Sequence, residues 1–131
     1  MTSTARGSFE VTSQREPPFD SVDGVAMARV TVRKQFQGDL SGSATVHMLA
    51  VGSPVEGSAA YVALERVTAT LGGRSGTFVL HHTGSMGRGA SQLRVVVAPD
   101  SGTGALRGLS GQMTIEITGG KHFYAFEYSF D

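Results

Sequence analysis

An all-β chain curled into one small barrel is the fold this sequence predicts, on three observations. Glycine is dense, 18 of 131 residues, and clusters in Ser101-Gly-Thr-Gly-Ala-Leu-Arg-Gly-Leu-Ser-Gly111, just ahead of a terminal stretch of alternating residues. It permits the tight bends and close backbone approach that a closing sheet needs at its corners. Runs of β-branched and aromatic residues recur between Gly, Pro and Asp clusters, and no stretch keeps a 3.6-residue apolar period. Finally, 40% hydrophobic and 17% charged residues over this length provide for one core and little more. Residues 1–131 are therefore expected to form one domain, with residues 1–6 a flexible start.

Eight strands are expected, near 7–13, 25–36, 40–50, 59–71, 74–84, 89–97, 104–118 and 121–130. Three hairpins among them can be registered. For the second and third strands, a three-residue loop at Gln37-Gly38-Asp39 pairs Phe36 with Leu40, Val32 with Ala44, Val30 with Val46 and Ala28 with Met48. Arg29, Thr31, Arg33, Ser41, Ser43, Thr45 and His47 then share the wet face. For the fourth and fifth, Gly72-Gly73 suits a two-residue turn, since paired glycines accept the positive φ such turns demand. That turn pairs Val67 with Phe78, Glu65 with Leu80 and Ala63 with His82. One face then carries Tyr61, Ala63, Glu65, Val67, Phe78, Leu80 and His82, apolar except for a carboxylate and an imidazole. For the last pair, a turn at Gly119-Gly120 sets Ile117 against His122, Ile115 against Tyr124 and Met113 against Phe126. Thr114, Glu116, Lys121 and Glu127 point the other way.

With strands alternating up and down, the turns at 37–39 and 72–73 close one end, and the longer segments 14–24, 51–57 and 85–88 lie at the other. Long loops mark that end as a mouth. Tyr61, His82, His122 and Tyr124 are expected to project inward near it, with Glu65 one step deeper and within reach of His82. Glu65 and His82 are the candidate catalytic pair. Tyr61, Phe78, Leu80, Ile115, His122, Tyr124, Phe126 and Tyr128 are the candidate ligand-binding wall, residues equally suited to packing a core. A carboxylate among Tyr61, Val67, Phe78 and Leu80 would have its pKa raised by desolvation unless His82 or a tyrosine hydroxyl compensates. A buried Glu that merely fixes the register is the plainer reading.

Gly102-Thr-Gly104 with Gly108-Leu109-Ser110-Gly111 resembles the glycine signature of the allene oxide cyclase and dirigent barrel superfamily. More closely, Phe36-Gln-Gly-Asp-Leu40, Tyr61-Val-Ala-Leu-Glu-Arg66, Gly73-Arg-Ser-Gly76, Phe78-Val-Leu-His-His82, Ser101-Gly-Thr-Gly104 and Lys121-His122 resemble a bacterial family of uncharacterised barrels, classed as a domain of unknown function. That resemblance covers nearly the whole chain. It departs at Val96-Val97-Ala98-Pro99-Asp100-Ser101-Gly102, where relatives read Val-Val-Pro-Gly-Ser-Gly-Thr-Gly. It implies eight antiparallel strands closed into an allene oxide cyclase-like barrel, whose interior is either filled by side chains or holds one small ligand. No catalytic residue transfers from it, because superfamily members lack a shared motif.

Three functions follow from that choice. The first is binding of a small apolar or amphipathic molecule inside the barrel. The second is a cofactor-free cyclase or isomerase acting by confinement, with Glu65 and His82 assisting. The third is a filled structural barrel that meets another protein.

Other classes are disfavoured. Eleven basic and eleven acidic residues cancel, leaving no electrostatic partner for nucleic acid or a membrane surface. Met1-Thr-Ser-Thr-Ala-Arg6 lacks an apolar signal core, and no apolar run approaches the roughly 20 residues of a spanning helix; a cytoplasmic chain is expected. The absence of Cys excludes disulfides and thiolate chemistry. No Gly-x-Ser-x-Gly elbow or dinucleotide loop occurs, so neither a serine hydrolase nor a nucleotide cofactor is indicated. No metal is expected: adjacent His81 and His82 face opposite ways, and His47 faces outward. Arg15–Gly24 is expected to be a surface loop, with a lid over the mouth as the alternative. Outward Val25, Met27, Val62, Leu64 and Val79 would suit a homo-oligomer interface.

Overall fold

Alternating patterns separated by turn residues produce strands along almost the entire chain, and the computed structural model describes every residue from Met1 to Asp131. The strands are β1 (Ser3–Arg15), β2 (Asp20–Val22), β3 (Val25–Gly38), β4 (Leu40–Gly52), β5 (Ala59–Leu71), β6 (Arg74–Gly87), β7 (Ala90–Val97), β8 (Leu109–Thr118) and β9 (Lys121–Phe130). Consecutive strands pair antiparallel from β3 to β9, and β1 lies between β9 and β3. The result is a closed antiparallel barrel of eight strands, with β2 added along the start of β3.

Turn chemistry sets most registers. Gly72 and Gly73 have φ of 57° and 81°, and Gly119 and Gly120 have φ of 59° and 78°, the conformation that joins two twisted strands in the fewest residues. Both expected registers result, Val67 against Phe78 and Ile115 against Tyr124. Two further turns of this kind, Asp23-Gly24 and Arg88-Gly89, also have positive φ at both positions. They shorten the connections expected to be long: β6 continues to Gly87, and 20–22 becomes strand.

Three expectations need correction. The β3–β4 register is shifted by two residues, with Phe36 opposite Gly42, Val32 opposite Val46 and Val30 opposite Met48. The cause is β1, which takes Gly38 as the partner of Gly7 and holds Asp39 through reciprocal bonds with Arg6, widening the turn. A two-residue shift preserves the faces, so Arg29, Arg33, Ser41, Ser43 and His47 are still exposed. The second correction is at the N-terminus, where Ser3–Arg6 pair with β9 instead of hanging free.

Third, β8 starts at Leu109, not 104, because Gly104–Leu106 form a 3-10 turn. Segment 98–108, the longest connection between strands, thus lies at the end opposite the expected mouth. Ser101 bonds the backbone of Val79 and Thr103 that of Thr77, which lays the segment across that end and inserts the fully buried Leu106. Gly102 is obligatory here, since a Cβ would overlap the Leu106 carbonyl. Residues 16–19 run over the surface as expected and not across the mouth, since Glu16 and Phe19 donate to Arg29 and Met27 and clip the segment along β3.

The core occupies the plugged half. Phe36, Phe78, Phe126, Leu40, Leu71, Leu80 and Leu106 are fully or almost fully buried there, with Phe78 and Phe126 stacked at 5.7 Å. The wall is thinnest between β7 and β8, which pair only at Val95–Met113 and Val96–Gln112. Above that point the two strands separate. Leu93 and Ile117 share inward parity with Val95 and Met113 yet are 46% and 66% exposed.

Candidate functional site

Above the aromatic core the barrel is hollow. A cavity of about 700 Å³ is walled by inward residues of β1, β3, β4, β8 and β9, among them Phe9, Val30, Val46, Met48, Ile115 and His122. It extends to Ser91, Gln92 and Leu93 beside the β7–β8 opening.

Four polar side chains meet at one place in the wall. Lys34, from β3, reaches Glu65, from β5, with 3.1 Å between its Nζ and Oε1. His82, from β6, places Nε2 2.7 Å from the same oxygen, and its Nδ1 lies 3.2 Å from the Tyr61 hydroxyl. A neutral imidazole donating through Nε2–H to Glu65 and accepting from Tyr61 at Nδ1 satisfies both bonds. Strand alternation brings the four together: Tyr61 and Glu65 have equal parity on β5, while His82 faces Ala63 between them. Gly84 makes room for the phenol, since a Cβ there would overlap the Tyr61 ring.

Glu65 is fully buried and lies behind the cavity surface, whereas Lys34, Tyr61 and His82 line it. Burial on its own pushes the Glu65 carboxyl up; the His82 hydrogen bond and the Lys34 charge outweigh it and hold the pKa below the ordinary value. The compensation anticipated for this carboxylate thus comes from His82 together with Lys34. Burial, and then the nearby Glu65 charge, push the Tyr61 phenol up. The second carboxylate oxygen of Glu65 has no protein partner.

Lys34 is the member sequence reasoning missed. Its parity with Val30, Val32 and Phe36 faces it inward, a rare place for lysine, and its level against Glu65 follows from the shifted β3–β4 register. The ammonium also rests 4.6 Å from the Phe9 ring centroid, a cation–π contact.

The expected ligand wall divides. Tyr61, Ile115 and His122 line the cavity. Phe78, Leu80 and Phe126 pack in the filled half, and Tyr128 packs against that core. Tyr124 points inward as expected, but at the level of the 37–40 turn and not at the mouth, because strand stagger sets β9 low against β3. There its hydroxyl accepts from Leu40 N–H at 2.9 Å and lies 3.0 Å from the carbonyl oxygens of Gln37 and Leu40. Glu65 and His82 converge, but no group of three or more His, Asp or Glu side chains forms.

Comparison with known proteins gives the molecule its family. Residues 5–128 match the family described as protein of unknown function, DUF3224. The chain belongs to the DUF3224 family. A crystal structure of a DUF3224 protein with unknown function from Shewanella oneidensis MR-1 is 39% identical, with a TM-score of 0.94 over 100% of this chain and 99% of that one. No curated protein matches. No helix of this DUF3224 barrel is long and apolar enough to cross a membrane.

Proposed function

We propose that this DUF3224 barrel binds a small apolar or amphipathic molecule in the hollow half of its interior. The observation that carries the reading is the division of the barrel into a plugged aromatic half and an open cavity of about 700 Å³. That volume is in the range of small-molecule sites, and mostly apolar walls with a few converging polar groups are their usual lining. The resemblance of the glycine pattern to that of allene oxide cyclase and dirigent barrels supports an interior site. A filled barrel describes only the lower half.

The test is fluorescence of an uncharged, polarity-sensitive dye titrated against the protein and against Met48→Trp, which fills the cavity from β4. Enhancement with the native chain and its loss in the variant are expected. Equal response from both would overturn the reading.

The Tyr61–His82–Glu65 chain supports a second reading, a cofactor-free isomerase or cyclase. In it Tyr61 or His82 gives or takes a proton at the cavity wall, and Glu65 is a positioning residue that orients the imidazole. Removing both groups in Tyr61→Phe/His82→Gln would then abolish turnover and leave ligand binding intact; unchanged turnover in that variant would remove this role.

A further inference from the structure

Building on the interior-site reading, we infer that the ligand is an anionic amphiphile whose carboxylate-type head is anchored by Lys34. Three observations converge on this class. The residues lining the cavity include Arg15, Lys34, His82 and His122 but no Asp or Glu. Glu65, the carboxylate that bonds Lys34, is fully buried and is not among the lining residues. Any charge the wall presents directly to an occupant is therefore positive.

Lys34 itself is the second observation. It is 8% exposed, yet its one hydrogen bond to the protein goes to Glu65 at 3.1 Å. An ammonium has three donors, so two remain beside the cavity for an acceptor on the occupant. Buried charge is costly without full hydrogen bonding, and an anionic head supplies both the acceptors and the opposite charge. Charge-assisted bonds of this kind are about twice as strong as neutral ones.

The third observation concerns the tail. Besides Lys34 the cavity is lined by Val30, Met48 and Ile115, and it takes in Leu93 and Ile117 beside the β7–β8 opening. A charged group at one point of an otherwise mostly apolar, open cavity matches a molecule with one polar end. An uncharged apolar ligand would leave Lys34 as it is, and a cationic one would face like charge.

Calorimetric titration with decanoate, decanol and decyltrimethylammonium tests this directly, since the three share a tail and differ in head charge. Decanoate is expected to bind at least about tenfold more tightly than decanol, a difference of about 1.4 kcal/mol, with the ammonium compound weakest. The double variant Lys34→Met/Glu65→Gln, which removes both buried charges together, is expected to erase the preference while still binding decanol. Decanol binding as tightly as decanoate would overturn the charge assignment and leave the cavity reading standing. Preference for the cation would do the same. Failure of all three to bind would overturn both. If the double variant does not fold, the ranking of the three ligands on the unaltered chain decides the matter.

Discussion

At the residue scale the molecule is organised around one buried carboxylate. Glu65 holds Lys34 and His82 through a single oxygen, so truncating it leaves an ammonium without its counter-charge. Glu65→Ala is expected to cost about 3–5 kcal/mol in denaturant unfolding, as when one partner of a buried pair is removed. Lys34→Met/Glu65→Gln should cost less, because no buried charge is left uncompensated. Acid should act through the same group. Its folded pKa lies below the ordinary 4.5, so its contribution to stability is present above that value and disappears as pH falls through the folded pKa. Unfolding midpoints measured from pH 6 downward should drop below about pH 4.5, and the drop should be shallower in the double variant. Equal acid sensitivity in both chains would contradict this account. The pairing of Glu65 with His82 was legible because one two-residue turn fixes their register. Lys34 was not, because its place depends on a neighbour strand whose register the local sequence does not set.

At the scale of elements, glycine turns and tertiary ties divide control of the registers. Hairpins β5–β6 and β8–β9 form as their turns dictate, since each turn's ends bond across its own strands. Hairpin β3–β4 does not, because β1 competes for Gly38 and Asp39. Segment 98–108 carries the limit of pattern: an expected strand takes in 104–108, yet the segment's bonds go to β6 and Leu106 enters the core. Leu106→Ala should therefore behave as a core truncation, costing about 2–5 kcal/mol. A cost near zero in thermal or denaturant unfolding would show that the segment does not seal the barrel.

Across the whole molecule, closure is complete everywhere except at one seam. Only two residue pairs join β7 to β8, so amides of Ala90–Arg94 directed toward β8 lack the ladder that protects the rest. Amide hydrogen exchange there should be much faster than in β5 and β6, and a bound ligand should slow it; uniform protection around the ring would refute an open seam. The amino-acid sequence on its own determined the all-β class, the inward and outward faces, and the meeting of Glu65 with His82. Those follow from a side-chain period of two and from turns that act over a few residues. Only the tertiary structure decided which half of the interior is filled, that Lys34 joins the buried carboxylate, and where the wall parts. Each depends on how far strands distant in sequence slide past one another as the ring closes, and no local pattern encodes that stagger.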